Sequence, residues 1–315
     1  MIPEISEFSY GFALTNELVR WAELSVAPIF PSLIEEGGPG GGYDVKLDRP
    51  GAPLFLQFKR SECMTRRSAR EWKLVDDLGG RLGVPFYRFP VTQSLKSDQH
   101  ELLLALDTPP NLVFYAAPRF HELSEINRAW QDAAVSARSV FVAPSEIGSL
   151  DDERHNVAFD AARTWICSEP REIRALTSRD LLEKIKTALN HDDRPLRETL
   201  PELSERLQRA EVQGRERAEA KRRAYERRQM ELAAQKVELS VEAAPMERGD
   251  FLRSVSRSLI QTSIDLEALE APEPTPPTTR PMEEISPERR TLSRLADQAA
   301  RVFDSQLVLV QPRDE

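Results

Sequence analysis

The chain has 315 residues, of which 40% are hydrophobic, 30% are charged and 23 are prolines, and its net charge is −9. This length suits one large domain or two ordinary ones, and the mixed composition indicates that only part of the chain builds a buried core. The negative balance argues against a protein that coats nucleic acid non-specifically, although a local basic patch is compatible with it.

Cysteine content and hydropathy point to the cytoplasm. Cys63 and Cys167 have no metal-ligand spacing, and two cysteines are too few for a disulfide framework. The first twelve residues lack the basic and apolar regions of a signal peptide. The most apolar long stretch, residues 102–118, is short and is interrupted by an aspartate and two prolines. We therefore expect a cytoplasmic protein with no membrane segment.

Up to about residue 190, helical patterns alternate with short apolar runs. This alternation predicts an α/β or α+β domain with a central mixed sheet flanked by helices. Helices are predicted over Phe8–Glu23, Ser68–Leu82, Asp98–Leu106, Glu122–Ala137 and Leu181–Leu189. Strands are predicted over Tyr43–Leu47, Leu54–Lys59, Phe86–Val91, Leu112–Ala116, Val140–Ala143 and Trp165–Cys167.

The first two predicted strands carry the polar residues of greatest interest. The sequence DRPG joins Tyr43–Leu47 to Leu54–Lys59 and is a strong turn signal. Asp44 lies on the first strand. Because side chains alternate along a strand, Gln57 and Lys59 share one face of the second strand. This arrangement suits a shared site.

These residue types fit metal-assisted cleavage of a phosphodiester. That reaction needs a divalent cation to activate water and to offset phosphate charge, and Mg²⁺ prefers oxygen ligands. Asp44 can supply a carboxylate and Gln57 a carbonyl oxygen. Lys59 can orient the water or stabilise the developing negative charge. The alternative is that all three are ordinary solvent-facing strand residues.

A carboxylate from the first helix would complete the metal site. Glu17 is the best candidate, and Glu7 and Glu23 are alternatives. The predicted metal ligands are therefore Asp44, Gln57 and Glu17, with Lys59 as the fourth catalytic residue.

At these residues the chain resembles the PD-(D/E)XK restriction-endonuclease-like superfamily, in the branch where glutamine replaces the middle acid. The resemblance covers roughly residues 8–92. It implies a restriction-endonuclease-like core and a nuclease that uses Mg²⁺, or Mn²⁺, on nucleic acid, with DNA favoured, in restriction, phage defence or repair. Two departures stand out: Tyr43 replaces the proline before Asp44, and the neutral Gln57 weakens metal binding.

Two basic segments each have two interpretations. Arg60, Arg66, Arg67, Arg70 and Lys73 either neutralise DNA phosphates beside the site or form a solvated helix face. The basic run over residues 206–228 is either a nucleic-acid-binding arm or a solvated helix with intrahelical ion pairs, and the second interpretation is favoured.

The predicted organisation has four parts: a nuclease-like domain at 1–190, a charged helical region at 191–270, a proline-rich linker at 271–287, and a helix with a short strand at 288–315. The charged region begins with a heptad stripe from Leu196 to Ala210, which Gly214 and Arg217 are expected to end, and a further helix is predicted over 251–269. The final strand is predicted at Gln306–Val310.

Three functional hypotheses follow. The first is a Mg²⁺-dependent endonuclease whose C-terminal helical region, partly disordered, recruits a protein partner. The second is a catalytically inactive module with the nuclease fold that binds nucleic acid or assembles a larger complex through those helices. The third is a purely structural α/β protein.

Overall fold

A computed structural model describes residues 1–21, 48–93, 95–151, 155–242 and 287–311. The chain divides into two compact units, one of residues 1–223 with 284–315 and one of residues 224–283. Several predicted features lie outside the described residues, namely Asp44 with its strand Tyr43–Leu47, Glu23, the helix over 251–269 and the proline-rich stretch up to residue 286.

The described residues form both helices and strands, which confirms the mixed α/β class. The helices are α1 (Glu7–Trp21), α2 (Arg70–Asp77), α3 (Gln99–Leu106), α4 (Leu123–Gln131), α5 (Pro144–Ile147), α6 (Ser178–His191), α7 (Leu196–Glu242) and α8 (Pro287–Arg301). The strands are β1 (Ala52–Phe58), β2 (Glu62–Met64), β3 (Phe86–Val91), β4 (Leu112–Pro118), β5 (Ser139–Val142), β6 (His155–Phe159), β7 (Thr164–Ile166), β8 (Arg171–Ile173) and β9 (Gln306–Val310).

The strand that carries Gln57 lies inside a four-stranded mixed sheet of order β5-β4-β1-β9. β1 runs parallel to β4 and antiparallel to β9, the last strand among the described residues. Six of its seven residues are buried, as expected of a strand covered on both faces. This is the mixed sheet that the sequence predicts, whereas the specific restriction-endonuclease-like arrangement stays a prediction.

The two faces of β1 enter two different hydrophobic cores. Leu54 and Leu56 pack with α1, α4 and α6, and Phe58 lies against the same core. Phe55 points the other way, into a core built with α3, α7 and α8. The alternation predicted for this strand is therefore confirmed, and it fixes which layer each polar side chain faces.

A second sheet of five antiparallel strands, β2-β3-β6-β7-β8, packs against the Phe55 side of the first. The sequence predicts a single central sheet and misses β2, β6 and β8. Two of these strands have only three residues, too few to show a period of two. α2 covers the outer face of this sheet, where Val75 packs beside Trp165.

Two predicted helices end early for local backbone reasons. α2 stops at Asp77 rather than Leu82 because Gly79 adopts a left-handed φ of +71° and its N–H donates to the carbonyl of Asp76. α4 stops at Gln131 rather than Ala137, since Ala133 has a φ of +49°.

The first compact unit continues past the boundary predicted near residue 190. Leu203 and Leu207 of α7, and Leu295 of α8, belong to the same core as Phe55. β9 then pairs with β1 along five residues. The predicted C-terminal helix and strand are both present, but they are built into the unit that holds Gln57.

The sequence predicts that Gly214 ends the apolar stripe of α7, and this prediction is wrong. A Cβ at this position would lie 2.6 Å from the Cα of Leu102, so glycine allows α7 and α3 to approach closely. The stripe continues to Ala218, which is fully buried.

None of the helices in the described part of the chain is both long enough and apolar enough to cross a bilayer.

Candidate active site

Gln57 and Lys59 lie in the interior, on the face of β1 that looks toward α3 and α8. Their exposed fractions are 3% and 7%. The backbone N–H of Lys59 donates to the carbonyl of Ala116 at 2.8 Å, which extends the pairing of β1 with β4 by one residue. The interpretation of these two residues as a solvent-facing polar strand face is therefore wrong.

Gln57 and Lys59 belong to a four-residue polar cluster completed by Gln99 and Asp304. The Nζ of Lys59 donates to Oε1 of Gln99 at 3.1 Å. The Nε2 of Gln57 donates to Oδ2 of Asp304 at 3.1 Å, and the Nε2 of Gln99 donates to the same oxygen. The cluster thus contains one ammonium, one carboxylate and two amides.

The chemistry of these contacts fixes the orientation of both amides. A carboxylate only accepts hydrogen bonds and an ammonium only donates them, so each amide must turn its NH₂ toward Asp304 and Gln99 must turn its oxygen toward Lys59. One acceptor is left over, Oε1 of Gln57, which is buried and has no hydrogen-bond partner. A buried carbonyl oxygen without a donor is costly, and a bound cation would satisfy it.

Asp304 reaches the cluster from the turn between α8 and β9. The register of β9 on β1 pairs Gln306 with Leu56, so the preceding turn lies beside Gln57. Asp304 has a φ of +47°, a left-handed conformation that aspartate tolerates better than most residues. Its side chain is exposed, which gives the cluster a face toward solvent.

Burial lowers the pKa of Lys59, because an ammonium is poorly solvated in the interior. The carboxylates of Glu7 and Asp304 oppose this effect and raise the pKa. The Nζ also lies 5.7 Å from the centroid of the Tyr115 ring. Lys59 therefore lies in a site of reduced polarity, where burial disfavours its charged form.

α3 positions Gln99 through contacts on its neighbouring residues. His100 bonds the hydroxyl of Tyr115 at 2.9 Å through Nδ1 and the carbonyl of Gly148 at 2.7 Å through Nε2. Because a carbonyl only accepts, Nε2 carries the proton and Tyr115 donates to Nδ1.

Two ion pairs join α7 to α3 and to Asp98, the residue just before it. Lys221 bonds the buried Glu101 at 2.5 Å, and Arg222 pairs with Asp98. Gln99 is therefore held between two anchored residues. These pairs also neutralise part of the basic run that the sequence analysis weighed as a nucleic-acid-binding arm.

The structure does not bring Glu17 together with Gln57 and Lys59. Glu17 lies on α1, which packs on the Leu54 side of β1, and its carboxylate accepts hydrogen bonds from the backbone of Val135, at 2.7 Å, and from Ser136. These contacts fasten α1 to the segment that follows α4. The prediction of Glu17 as a metal ligand beside Gln57 is therefore wrong, because its carboxylate is taken up by these hydrogen bonds.

Glu7 is the acid of α1 that lies toward Lys59. It influences the pKa of Lys59, and its Oε1 accepts from the backbone N–H of Arg60 at 3.4 Å. From the sequence alone, Glu7 is only an alternative to Glu17. Glu23, the other alternative, and Asp44 lie outside the described residues.

Within the described ranges, no group of three or more histidine, cysteine, aspartate or glutamate side chains is arranged to hold a metal ion. The cluster nevertheless contains two oxygen groups of the kind that a hard cation prefers, the unpartnered Oε1 of Gln57 and the carboxylate of Asp304. Mg²⁺ commonly takes one or two protein carboxylates and completes its shell with water and phosphate. These residues fit such an ion with a low ligand charge.

A cleft of about 910 Å³ opens at the start of β1, the opposite end of the strand from Lys59. Arg194 lines it and is already paired with Asp192 at 2.8 Å and with Glu202 at 2.7 Å. We therefore place the candidate site at the polar cluster, where a buried cation and an unsatisfied acceptor meet.

Sequence reasoning misses Gln99 and Asp304. Gln99 immediately precedes His100, which stands out as an isolated histidine, but a glutamine at a helix start carries no pattern of its own. Asp304 is 247 residues from Gln57, and only the pairing of β9 with β1 brings them together.

No protein-family model matches this chain, and no curated protein or solved structure is significantly similar to it.

Proposed function

We propose that this chain is a divalent-metal-dependent nuclease that cleaves phosphodiester bonds, with DNA as the favoured substrate. The observation that carries the proposal is the polar cluster: a buried lysine and an unpartnered glutamine oxygen on one strand face, joined to an exposed carboxylate. The residues agree with the resemblance at Gln57 and Lys59 and add Asp304 as a source of negative charge.

The chain's own residues have distinct parts in this proposal. Gln57 and Asp304 would hold the cation, and Asp44 stays a predicted ligand. When bound, the cation supplies an activated water and offsets phosphate charge. Lys59 donates one N–H to Gln99, so its remaining N–H groups can donate to a phosphate oxygen or to the attacking water.

Cleavage assays test the proposal directly. Supercoiled plasmid, linear duplex and single-stranded DNA are incubated with Mg²⁺ or Mn²⁺ and the parent chain, Lys59→Ala, Asp304→Asn or Asp44→Ala. We expect each variant to lose about 100-fold or more in rate, the loss typical of removing one group that stabilises transition-state charge. The exposed Asp132, at the end of α4, gives a matched control as Asp132→Asn.

Metal binding gives a second measurement that does not depend on turnover. Titration with Mn²⁺, followed by electron paramagnetic resonance of the free ion, should show weaker binding by Asp304→Asn than by the parent or Asp132→Asn. Equal Mn²⁺ affinity in all three proteins, or equal cleavage by parent and Lys59→Ala, would contradict the proposed site.

One observation favours the second candidate function, an inactive nuclease-like module. Only one carboxylate joins Gln57 and Lys59 in the described cluster, and both of these residues are almost fully buried. A parent protein that neither cleaves DNA nor binds Mn²⁺, yet retains a partner through its C-terminal helical region, would support this alternative.

A further inference from the structure

Five exposed basic side chains follow Lys59 in the chain, the first between β1 and β2 and the other four in the β2–α2 loop and the first turn of α2. They are Arg60, Arg66, Arg67, Arg70 and Lys73. Within the described residues none of them forms an ion pair. In a chain with a net charge of −9, a group of unpaired cations at one place is a local reversal of sign.

The two acids of this segment are used by an internal arginine and do not neutralise the exposed cations. Arg88 on β3 pairs with Glu62 at 2.6 Å and with Glu71 at 2.5 Å. Glu71 is buried and also accepts from Asn156 at 2.9 Å. The Glu71 carboxylate is therefore buried, and the partly exposed Glu62 carboxylate is bound to Arg88, so neither is paired with the exposed cations of the segment.

The next acids in the chain are Asp76 and Asp77, in the last turn of α2. They are exposed and, among the described residues, make no ion pair with the basic side chains. The positive charge is therefore concentrated in the β2–α2 loop and the first turn of α2.

The same network fixes the position of these cations. Glu62 belongs to β2 and Glu71 to the first turn of α2, so their shared partner Arg88 ties the β2–α2 loop to the sheet at both ends. Trp72 donates from Nε1 to the carbonyl of Leu82 at 3.0 Å, and the Arg67 guanidinium lies 5.7 Å from the Trp72 ring centroid. A guanidinium stacked on a ring keeps its N–H edge available for phosphate oxygens.

The second basic run, on α7, differs in this respect. Arg215 pairs with Glu211 at 2.7 Å, while Lys221 and Arg222 pair with acids of α3. A cation that already has an acidic partner gains little binding free energy from a phosphate, because it must first give up that partner. Five of the nine basic side chains in residues 206–228 pair with acids, whereas among the described residues none of the five that follow Lys59 does, so we favour the latter as the place where a polyanion binds.

We propose that the β2–α2 surface, defined by Arg60, Arg66, Arg67, Arg70 and Lys73, binds the sugar–phosphate backbone of nucleic acid. The inference rests on the proposed function, because Arg60 directly follows Lys59 of the polar cluster in the chain. Contacts from charged side chains to phosphates position the duplex without reading its bases, so binding is independent of sequence.

The test is duplex binding by the full chain, measured by fluorescence anisotropy in EDTA over a salt series. The variant carries Arg66→Gln, Arg67→Gln and Arg70→Gln. We expect its Kd to rise about tenfold or more near 0.1 M salt. The slope of log K against log salt should fall by about 2 to 3, since each phosphate contact contributes about 0.9.

A matched control removes three cations that already have acidic neighbours: Lys186→Gln, Arg194→Gln and Arg215→Gln. Both triple variants change the net charge equally, and thermal melts establish that each is folded. We expect the control to bind within about twofold of the parent, because its lost cations were already neutralised. Equal losses in the two triple variants, or no loss in the first, would overturn the proposal.

Two further measurements distinguish failure of the proposed function from failure of the binding surface. DNA binding in EDTA that depends on the β2–α2 surface, without cleavage in Mg²⁺ or Mn²⁺, would contradict the proposed function and support the binding surface. Cleavage by the parent together with unchanged binding by the variant with Arg66→Gln, Arg67→Gln and Arg70→Gln would support the proposed function and contradict the binding surface. Binding to vesicles of phosphatidylserine and phosphatidylcholine that needs the patch, with DNA binding that does not, would assign the surface to a membrane and overturn the proposal.

Discussion

At the residue scale, burial turns ordinary polar side chains into ones with defined partners. Lys59 and Gln57 lie on a strand covered on both faces, so each of their polar atoms must find a partner inside the protein or remain unsatisfied. Gln57 and Gln99 both bond Asp304, Gln99 also bonds Lys59, and the acceptor left over is Oε1 of Gln57. These hydrogen bonds and the unpartnered oxygen of Gln57 define the site.

His100 predicts a pH dependence of stability. Burial lowers its pKa below the ordinary value of 6.5, an effect reinforced by Lys221 and His155 and opposed by the Gly148 carbonyl and Glu101. The unfolded chain therefore binds a proton more readily than the folded chain, and stability falls as the pH drops below about 6.5. Denaturant unfolding at pH 7.5 and pH 5 should show this fall.

The matched variant is His100→Gln, which keeps polar atoms at the site and does not titrate. It should be less stable than the parent at pH 7.5 but should lose less on acidification. A parent protein whose unfolding free energy is the same at both pH values would contradict the role assigned to His100.

Glu17 separates a structural role from a metal-binding one. Its carboxylate accepts from two backbone N–H groups and from the Ser136 hydroxyl, all of them buried. Glu17→Gln replaces one acceptor with a donor, so we expect the unfolding free energy to fall by about 2 kcal/mol. Urea denaturation measures this change.

Mn²⁺ titration of the same variant, at a temperature where it is folded, should give the affinity of the parent. A large loss of Mn²⁺ affinity with unchanged stability would instead support Glu17 as a metal ligand.

At the element scale, contacts made by α3, α7 and β9 decide where the site residues lie. β1 has the strong apolar pattern of a central strand, and its position beside β4 and β9 gives the polar cluster its surroundings. α3 is only eight residues long and is held by α7 through ion pairs and a close approach at Gly214. The sequence predicts a helix at Asp98–Leu106 and a charged helical region at 191–270, but not that they touch.

Gly214 tests the packing of α7 on α3. A Cβ there would lie 2.6 Å from the Cα and 2.9 Å from the backbone nitrogen of Leu102, which cannot move away as a flexible side chain would. Gly214→Ala should therefore lower the unfolding free energy by about 1 to 3 kcal/mol, the usual cost of overpacking, although alanine is the better helix former.

The exposed neighbour Gln213 provides the control, because Gln213→Ala changes helix propensity without entering the interface. It should be neutral or slightly stabilising. Gly214→Ala as stable as Gln213→Ala would contradict the close approach of the two helices.

At the scale of the whole molecule, the first compact unit is closed by the end of the chain. β9 pairs with β1, and Leu292, Leu295 and Phe303 fill the core that Phe55 enters. The segment that carries Asp304 is thus a component of the same fold as Gln57, although more than two hundred residues separate them in sequence.

Removal of residues 284–315 should therefore unfold or loosen the unit that contains residues 1–223. The truncated chain would expose one edge of β1 and lose several large buried side chains, so we expect no cooperative thermal transition and increased binding of a hydrophobic dye. Addition of a peptide covering residues 284–315 should restore part of the transition. A truncated chain that melts as cooperatively as the parent would show that β9 and α8 are not integral to the fold.

The sequence by itself determined the α/β class, the position of most helices and strands, and the orientation of Gln57 and Lys59 toward one face, because these depend on local periodicity and on the alternation of a strand. Only the tertiary structure decided that both residues are buried, that Glu17 bonds the segment after α4, and that Gln99 and Asp304 complete the cluster. Those facts depend on which distant segments pack together, and residues such as Asp304 and Gly214 show no local pattern that reveals their partners.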